Sequence, residues 1–296
     1  MTLAPRVVVV TRPTPYEELL ARHATRQQAE FFLKQRGQNL ELVEKNHQRV
    51  KRAVFEVQAA IPLDWRRNLI PRQELDRFLF EPDDTVVIVG QDGLVANVAK
   101  YLSGQPVIGV NPTPDLFDGV LVPHTVADGC RRLLASAQRD FATEERTMVE
   151  VELDDGQKLC ALNELFIGQR THQSARYELK LGKRRAVHSS SGVIVSTGTG
   201  ATGWAHSIQL ERHSSLALPK PTDPTLAYFV REAFPSVSTS TELTEGTFAM
   251  DEALTVTSRM EEGVIFGDGI ETDHLRFEWG IQATLRVAER TLCLVR

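Results

Sequence analysis

Cysteine is scarce in this chain, limited to Cys130, Cys160 and Cys293. The odd number, with no Cys-x-x-Cys and no Cys/His metal spacing, excludes a disulfide framework and a zinc-finger type of fold. No run of about 18 apolar residues occurs, so no membrane-spanning helix is written in the sequence. Basic residues are not in excess: 34 Lys and Arg stand against 39 Asp and Glu, for a net charge of −5. A nucleic-acid-binding surface is normally basic, so that class of partner is not expected. There is no internal repeat and no low-complexity tract. The opening MTLAPRVVVV has too short an apolar stretch for a signal peptide. The expectation is a cytoplasmic protein with reduced thiols.

What is present is a chain of 296 residues, enough for two domains. Its character changes near residue 145. Up to there, strands and helices alternate: a β-branched run Val7 to Val10, a helix from Tyr16 to Arg36 ended by Gly37, and a helix from Leu40 to Ala59. A further helical segment with Pro71 in its first turn is expected up to Pro82. Strands at Asp84 to Val89, Val107 to Val110 and Gly119 to Val122 and a helix from Ala127 to Gln138 follow. Strands alternating with helices predict an open, largely parallel α/β sheet over 1–145. Beyond, the pattern is strand-rich: Thr147 to Leu153, Lys158 to Ile167, Ala175 to Leu181, Ala186 to Val195, Leu254 to Ser258, Gly263 to Phe266, Leu275 to Trp279 and Gln282 to Val287. That predicts a β-rich, sandwich-like domain over 146–296. The polar segment Glu211 to Asp223 reads as a mobile loop.

Four short motifs carry chemistry. The strand Asp84 to Val89 runs into Gly90-Gln91-Asp92-Gly93 and then an apolar helix. Glycines at a strand's carboxyl end let backbone approach phosphate, at the place where open α/β sheets bind ligands. Asp92 there is either a helix cap or a carboxylate able to take a proton from a hydroxyl. Asn163 and Glu164 interrupt an apolar strand, and in a strand neighbouring side chains face opposite ways, so one of the two turns inward and needs a partner. Val193 to Val195 open into Ser196-Thr197-Gly198-Thr199-Gly200-Ala201-Thr202-Gly203-Trp204, a loop rich in hydroxyls and free of Cβ atoms at three alternating or near-alternating positions. Such a loop can cradle an anion or ribose, and Trp204 offers a flat face for a base. Gly267-Asp268-Gly269 reads as a hairpin turn.

In this order the four pieces resemble the NAD kinase family, over about Asp84 to Asp273. The resemblance implies a two-domain NAD kinase-like fold with the site in the cleft between an α/β domain and a β-rich one. It implies transfer of the γ-phosphate of ATP, with Mg²⁺, to the adenosine 2′-hydroxyl of NAD. Asp92 would be the general base, Gly90 and Gly93 would let amides face phosphates, and Asn163 and Glu164 would hold the adenosine. Thr199, Thr202, Gly203, Trp204 and Ser207 fall in the loop that meets adenine and ribose. Relatives form dimers or tetramers, so a homo-oligomer is implied as well. Several residues depart from the family pattern. Gln91 stands where glycine is usual, adding a side chain that strains the turn if positive φ is required. Leu94 replaces Thr, Ser191 replaces an Asp, Gly198 replaces a proline and Gly203-Trp204 replace Ala-Tyr. The stretch Phe229 to Glu242 replaces a Pro-x-x-Pro-His-Ser-Leu segment. These departures leave two alternatives beside the kinase: a nucleotide-binding protein without catalysis, and a related kinase with a different alcohol acceptor.

Overall fold

The computed structural model describes residues 4–136 and 141–296. The chain separates into two compact units, Met1–Glu144 with Cys293–Arg296, and Glu145–Leu292. The last strand therefore returns to the first unit's sheet, although its sequence position puts it in the strand-rich part. No helix among the described residues is long and apolar enough to cross a membrane.

The first unit is built on β1 (Arg6–Thr11), β2 (Arg66–Pro71), β3 (Thr85–Val89), β4 (Val107–Val110), β5 (Thr143–Arg146) and β18 (Leu292–Val295), with helices α1 (Pro15–His23), α2 (Arg26–Lys34), α3 (Leu40–Ala60), α4 (Asp92–Ala99) and α5 (Val126–Ala135). The sheet order is β2-β1-β3-β4-β18-β5, and the β1–β2, β1–β3, β3–β4 and β4–β18 pairings are all parallel. Both faces of β1 and β3 are buried, which is why these strands read as unbroken β-branched runs. Val7, Val9, Val87, Val89, Ile108 and Val110 pack against Ala53, Val54 and Val57 of α3 and Leu133 of α5.

Three local expectations give way here, and a fourth falls partly outside the described residues. The single helix over Tyr16 to Arg36 is two helices: Ala24 turns to φ +60 and the Thr25 side chain accepts the Gln28 N–H, opening α2. The segment before Pro82 is not helical up to Pro71. Arg66–Pro71 forms edge strand β2, whose exposed side chains hide the alternation, and only Arg72–Arg77 coils, as a short 3₁₀ turn. Gly119 to Val122 is loop, because its N–H groups serve a carboxylate, not a strand. The end of the helix expected to Gln138 lies outside the described residues, and α5 ends at Ala135.

The second unit holds two six-stranded sheets. Strands β6 (Val149–Leu153), β7 (Lys158–Ala161), β8 (Glu164–Gln169), β9 (Ala175–Leu181), β10 (Arg184–Ser190), β11 (Val193–Ser196), β12 (Thr225–Val230), β13 (Glu245–Ala249), β14 (Leu254–Ser258), β15 (Gly263–Gly267), β16 (His274–Arg276) and β17 (Gln282–Val287) are joined by one helix, α6 (Trp204–Glu211). The orders are β10-β9-β14-β17-β6-β7 and β13-β12-β11-β8-β15-β16, with antiparallel pairing throughout. One core fills the space between them: Val149, Leu179, Val256 and Leu285 from one sheet meet Leu165, Val193, Tyr228 and Ile265 from the other. Two expected strands are each split in two. Lys158 to Ile167 breaks at Leu162-Asn163, and Ala186 to Val195 breaks at Gly192, which takes φ +111.

The expected mobile loop at 211–223 is tied down. Leu216 and Leu218 pack beside Ile194, Ile208 and Phe229. Pro221 and Asp223 carbonyls accept from Thr147, and Gln209 Nε2 donates to the Leu216 carbonyl at 2.7 Å. This packing also explains Gly198: a Cβ there would overlap the Lys220 carbonyl and lie 2.6 Å from Pro221 N.

Candidate active site

The turn after β3 is anchored before it is functional. Gly90 N–H donates to the Val110 carbonyl at 3.0 Å, carrying the ladder one residue past the strand. Gln91 sits at φ −112, ψ 164, ordinary extended backbone. The strain expected from replacing glycine is therefore absent. Asp92 is the first residue of α4, and its carboxylate does not cap that helix. Oδ1 accepts from Leu121 N at 2.8 Å and Val122 N at 3.2 Å, and Oδ2 accepts from Val120 N at 3.0 Å.

The donors come from a loop shaped by two residues that sequence reading passed over. Gly119 takes φ +68, and a Cβ there would lie 2.7 Å from the Val122 carbonyl oxygen and 2.9 Å from Asn111 Nδ2. Asn111 Nδ2 donates to the Phe117 carbonyl at 2.8 Å, and its Oδ1 accepts Thr113 N–H at 3.0 Å. The Asn-Pro and Asp-Gly dipeptides of 111–119 were the available signal. A concavity of about 530 Å³ lies here, lined by Gln91, Asp92, Gly93, Phe117, Asp118 and Val120 among others. A Cβ on Gly93 would meet nothing within 4 Å, whereas one on Gly90 would press on Leu94 Cδ2 at 3.2 Å.

In the second unit the remaining motifs lock onto one another. Asp268, at φ +53, turns its carboxylate onto the break between β7 and β8. Its oxygens accept Leu162 N–H at 3.0 Å and Asn163 N–H at 2.7 Å, and its own N–H donates to the Glu164 carbonyl at 3.1 Å. The Asp-Gly pair is thus a clamp on the Asn-Glu corner. From the other side, the Asn163 carbonyl accepts Thr197 N–H at 2.9 Å, and Gly200 comes so near that a Cβ would overlap it. The Thr197 hydroxyl accepts Thr199 N–H and Gly200 N–H at 3.1 and 3.3 Å, which closes the Gly-rich turn on itself.

The loop's other residues divide by exposure. Thr199 is buried, and its hydroxyl accepts from the buried Arg146 at 3.3 Å. Thr202, Gly203 and Ser207 are exposed; Thr202 Oγ1 donates to the Thr199 carbonyl and Ser207 Oγ to the Gly203 carbonyl. Trp204 stacks on Phe166, with ring centroids 5.8 Å apart and an interplanar angle of 12°. The Arg231 guanidinium lies 5.0 Å from its centroid. Its ring is thus already engaged by protein groups. Arg146, Thr197 and Asp268 act here without having been singled out as site residues.

Two side chains at this corner, the Asn163 amide and the Glu164 carboxylate, make no hydrogen bond among the described residues. Burial, reinforced by the nearby Asp268 charge, pushes the Glu164 carboxyl from 4.5 up to about 7. The folded carboxyl then binds its proton more tightly than the unfolded one. Its contribution to stability is complete below about pH 4.5 and is lost as pH rises through 7. Glu164→Gln should abolish that fall, and at pH 8 should exceed the wild type by on the order of 1–2 kcal/mol after allowance for partial exposure. Tm measured from pH 4.5 to 8.5 checks this: parallel curves for the two proteins would refute the buried-carboxyl assignment.

The NAD kinase resemblance of the motifs is borne out by curated sequences. The chain is 29% identical over 140 residues to the NAD kinase of Chloroherpeton thalassium, covering 46% of this chain and 48% of that one. It is 30% identical over 127 residues to that of Methanoregula boonei (42% and 46%), and 28% over 159 residues to that of Gemmatimonas aurantiaca (49% and 54%). The chain thus spans about half the length of the curated relatives it matches. No family model matches it. The fold agrees over nearly the whole chain. An NAD kinase from Archaeoglobus fulgidus in complex with ATP superposes with a TM-score of 0.59 at 18% identity, covering 98% of this chain and 93% of that one. Yeast NADH kinase complexed with NADH gives 0.62 at 14% identity, covering 99% and 83%. The mixed architecture, a parallel sheet followed by antiparallel ones, is that of these enzymes.

Proposed function

We propose that this chain is an ATP-dependent NAD kinase: it transfers the γ-phosphate of ATP to the adenosine 2′-hydroxyl of NAD, giving ADP and NADP. The observation that carries this reading is the Asn163–Glu164 corner. Its backbone is clamped from both sides, by Asp268 and by the Thr197–Gly200 turn, while its amide and carboxylate stay without protein partners. A rigid corner presenting one amide and one carboxylate suits the edge of an adenine and the hydroxyls of a ribose. Thr199, Thr202, Gly203, Trp204 and Ser207 belong to the loop that meets the same nucleoside, with Thr199 holding the loop through Arg146.

Phosphoryl transfer is mostly positioning and charge neutralisation. In the proposed step the 2′-oxygen attacks the γ-phosphorus, the bond from that phosphorus to the β–γ bridging oxygen breaks, and ADP leaves. Asp92 takes the hydroxyl proton. A carboxylate has about four lone-pair sites; three hold the Val120–Val122 amides, which leaves one, on Oδ2. Mg²⁺ enters on the ATP phosphates as part of the substrate. The same reading makes the protein a cytoplasmic homo-oligomer, dimer or tetramer. Gln91 sits in unstrained extended backbone, which removes the backbone-strain argument for a catalytically dead binder.

The direct test is NADP formation from ATP, Mg²⁺ and NAD. A protein that binds both nucleotides and yields no NADP would overturn the reading. Gly93→Ala sharpens it, since the empty space around Gly93 has no structural need for glycine. In a helix's first turn alanine should leave Tm unchanged or raise stability by about 0.5–1 kcal/mol, yet KM for ATP should rise if phosphate approaches the backbone there. An unchanged KM would free Gly93 of any phosphate role.

A further inference from the structure

Strand β10 is an edge of its sheet, in the order β10-β9-β14-β17-β6-β7. An edge strand offers a row of unpaired backbone groups, which folded proteins cover or blunt. Here the cover is segment 231–242, most of the stretch that departs from the NAD kinase pattern. Phe234 N–H donates to the Ser189 carbonyl at 2.8 Å and Ser240 N–H to the Val187 carbonyl at 2.9 Å. Two further bonds stay inside the segment, from Ser236 N–H to the Thr239 carbonyl at 3.1 Å and from Thr239 Oγ1 to the Phe234 carbonyl at 2.8 Å. Phe234 and Val237 are exposed, so little apolar burial holds it down. At both ends the chain turns through left-handed backbone without glycine, at Glu232 (φ +41) and Leu243 (φ +52). Such positions persist only where surrounding contacts hold them.

Between the two anchoring residues of β10 stands His188. It is fully buried, pairs with Tyr177 of β9 and lies with its ring centroid 5.5 Å from the tyrosine's. Neither ring nitrogen has a hydrogen-bond partner. A concavity of about 380 Å³ has Val187, His188 and Ser189 in its wall together with Phe234, Ser236 and Thr239 of the segment. A buried imidazole without an acceptor is held neutral, because its charged form would be desolvated and unpaired. Burial accordingly lowers its pKa from the ordinary 6.5, against an opposing pull from the Ser240 backbone. The ionisable groups around it are few. Tyr177 and Tyr228 are pushed up by burial and stay neutral. Arg231, Glu232 and Glu242 lie in the segment, and Arg176 and Arg259 line the rest of the cavity wall. None of these charges contributes to the shift at His188.

We infer that segment 231–242 is an acid-released strap, which protonation of His188 opens from the edge of β10. The closed strap keeps the ring neutral and dry, whereas the open one hands it to water, where it takes a proton at its ordinary value. Closure is therefore complete above about pH 6.5 and weakens as pH falls below it. Release uncovers the strand edge and loosens Arg231, whose N–H donates to the Gly192 carbonyl at 2.8 Å and whose guanidinium lies 5.0 Å from the Trp204 ring. The strap is thus joined to the Gly-rich loop. This inference stands on the second unit alone and does not need the kinase reading.

Hydrogen exchange tests it, as protection factors of the Phe234 and Ser240 amides in the full chain between pH 7.5 and 5.0. Wild type is compared with His188→Phe, which cannot take a proton, and with His188→Gln, a neutral polar replacement. Below pH 6.5 the wild-type protection should fall by up to about tenfold per pH unit, the limit for one linked proton, and should stay level in both variants. NMR of the wild-type His188 ring should show it titrating below 6.5, a measurement that needs no variant to fold. A ring titrating at its ordinary value would overturn the inference. So would strap amides still fully protected at pH 5.0 in the wild type, or an equal loss of protection in wild type and a folded variant.

Discussion

Asp92→Asn should lower kcat for NADP formation by about 10²- to 10⁴-fold, the usual contribution of a general base, while NAD binds within a few-fold of the wild type. The structure makes the substitution cleaner on one side of the carboxylate than on the other. If the amide keeps its oxygen at the Oδ1 position, the bonds from Leu121 N and Val122 N survive, and only the bond from Val120 N at Oδ2 is lost. Val120 is half exposed, so water can take over its N–H, and the loss of stability should stay near the low end of about 1–3 kcal/mol for a deprived donor. Asp92→Ala, which removes all three acceptors, should cost more stability than Asp92→Asn. Tm separates the anchoring role from the chemical one. A variant with asparagine that turns over at near the wild-type rate would reduce Asp92 to an anchor for the 120–122 loop.

Gly200→Ala should damage both the protein and the Asn163–Glu164 corner. The new Cβ would overlap the Asn163 carbonyl oxygen and lie 2.6 Å from Asn163 C and 2.7 Å from Ser196 Oγ. The first two are backbone atoms fixed by the Asp268 clamp, so no flexible side chain can yield. Overpacking of this kind costs typically 1–3 kcal/mol and occasionally more, which in a chain of this size lowers Tm by several degrees. The Asn163–Glu164 corner must move to make room, so NAD affinity should fall with Tm. Differential scanning calorimetry and NAD titration on one preparation check both. Gly200→Ala with an unchanged Tm would show that the corner is pliable, and the rigidity on which the NAD proposal rests would be gone.

Gln91 shows how a motif can mislead in one direction and Asp268 how it can in the other. As a substitution in a glycine position Gln91 promised strain, but strain depends on φ, and φ at 91 is set by the extended continuation of β3. As a hairpin dipeptide Asp268 promised only a turn. Its carboxylate instead reaches residues more than a hundred positions earlier, and sequence separation of that size carries no local signal.

Local physics was enough for the strands that are buried on both faces and for the existence of the turns. Val7–Val10, Thr85–Val89 and Val107–Val110 are rich in β-branched residues because both faces of their sheet are buried, and a glycine cluster after such a run marks a loop whatever it binds. Tertiary structure decided everything that depends on who stands opposite. Edge strand β2 exists because Arg66–Pro71 finds β1 to pair with, not because of its own pattern. β18 rejoins the first sheet through pairing with β4, far earlier in the chain. Asp92 is occupied because three N–H groups of a loop, itself bent by Gly119 and Asn111, fold onto it. The Glu164 carboxyl is left without a hydrogen bond for the complementary reason: no donor among the described residues is brought within reach of it. A side chain's chemistry is written in its own atoms, but whether that chemistry is spent or available is settled by residues distant in sequence.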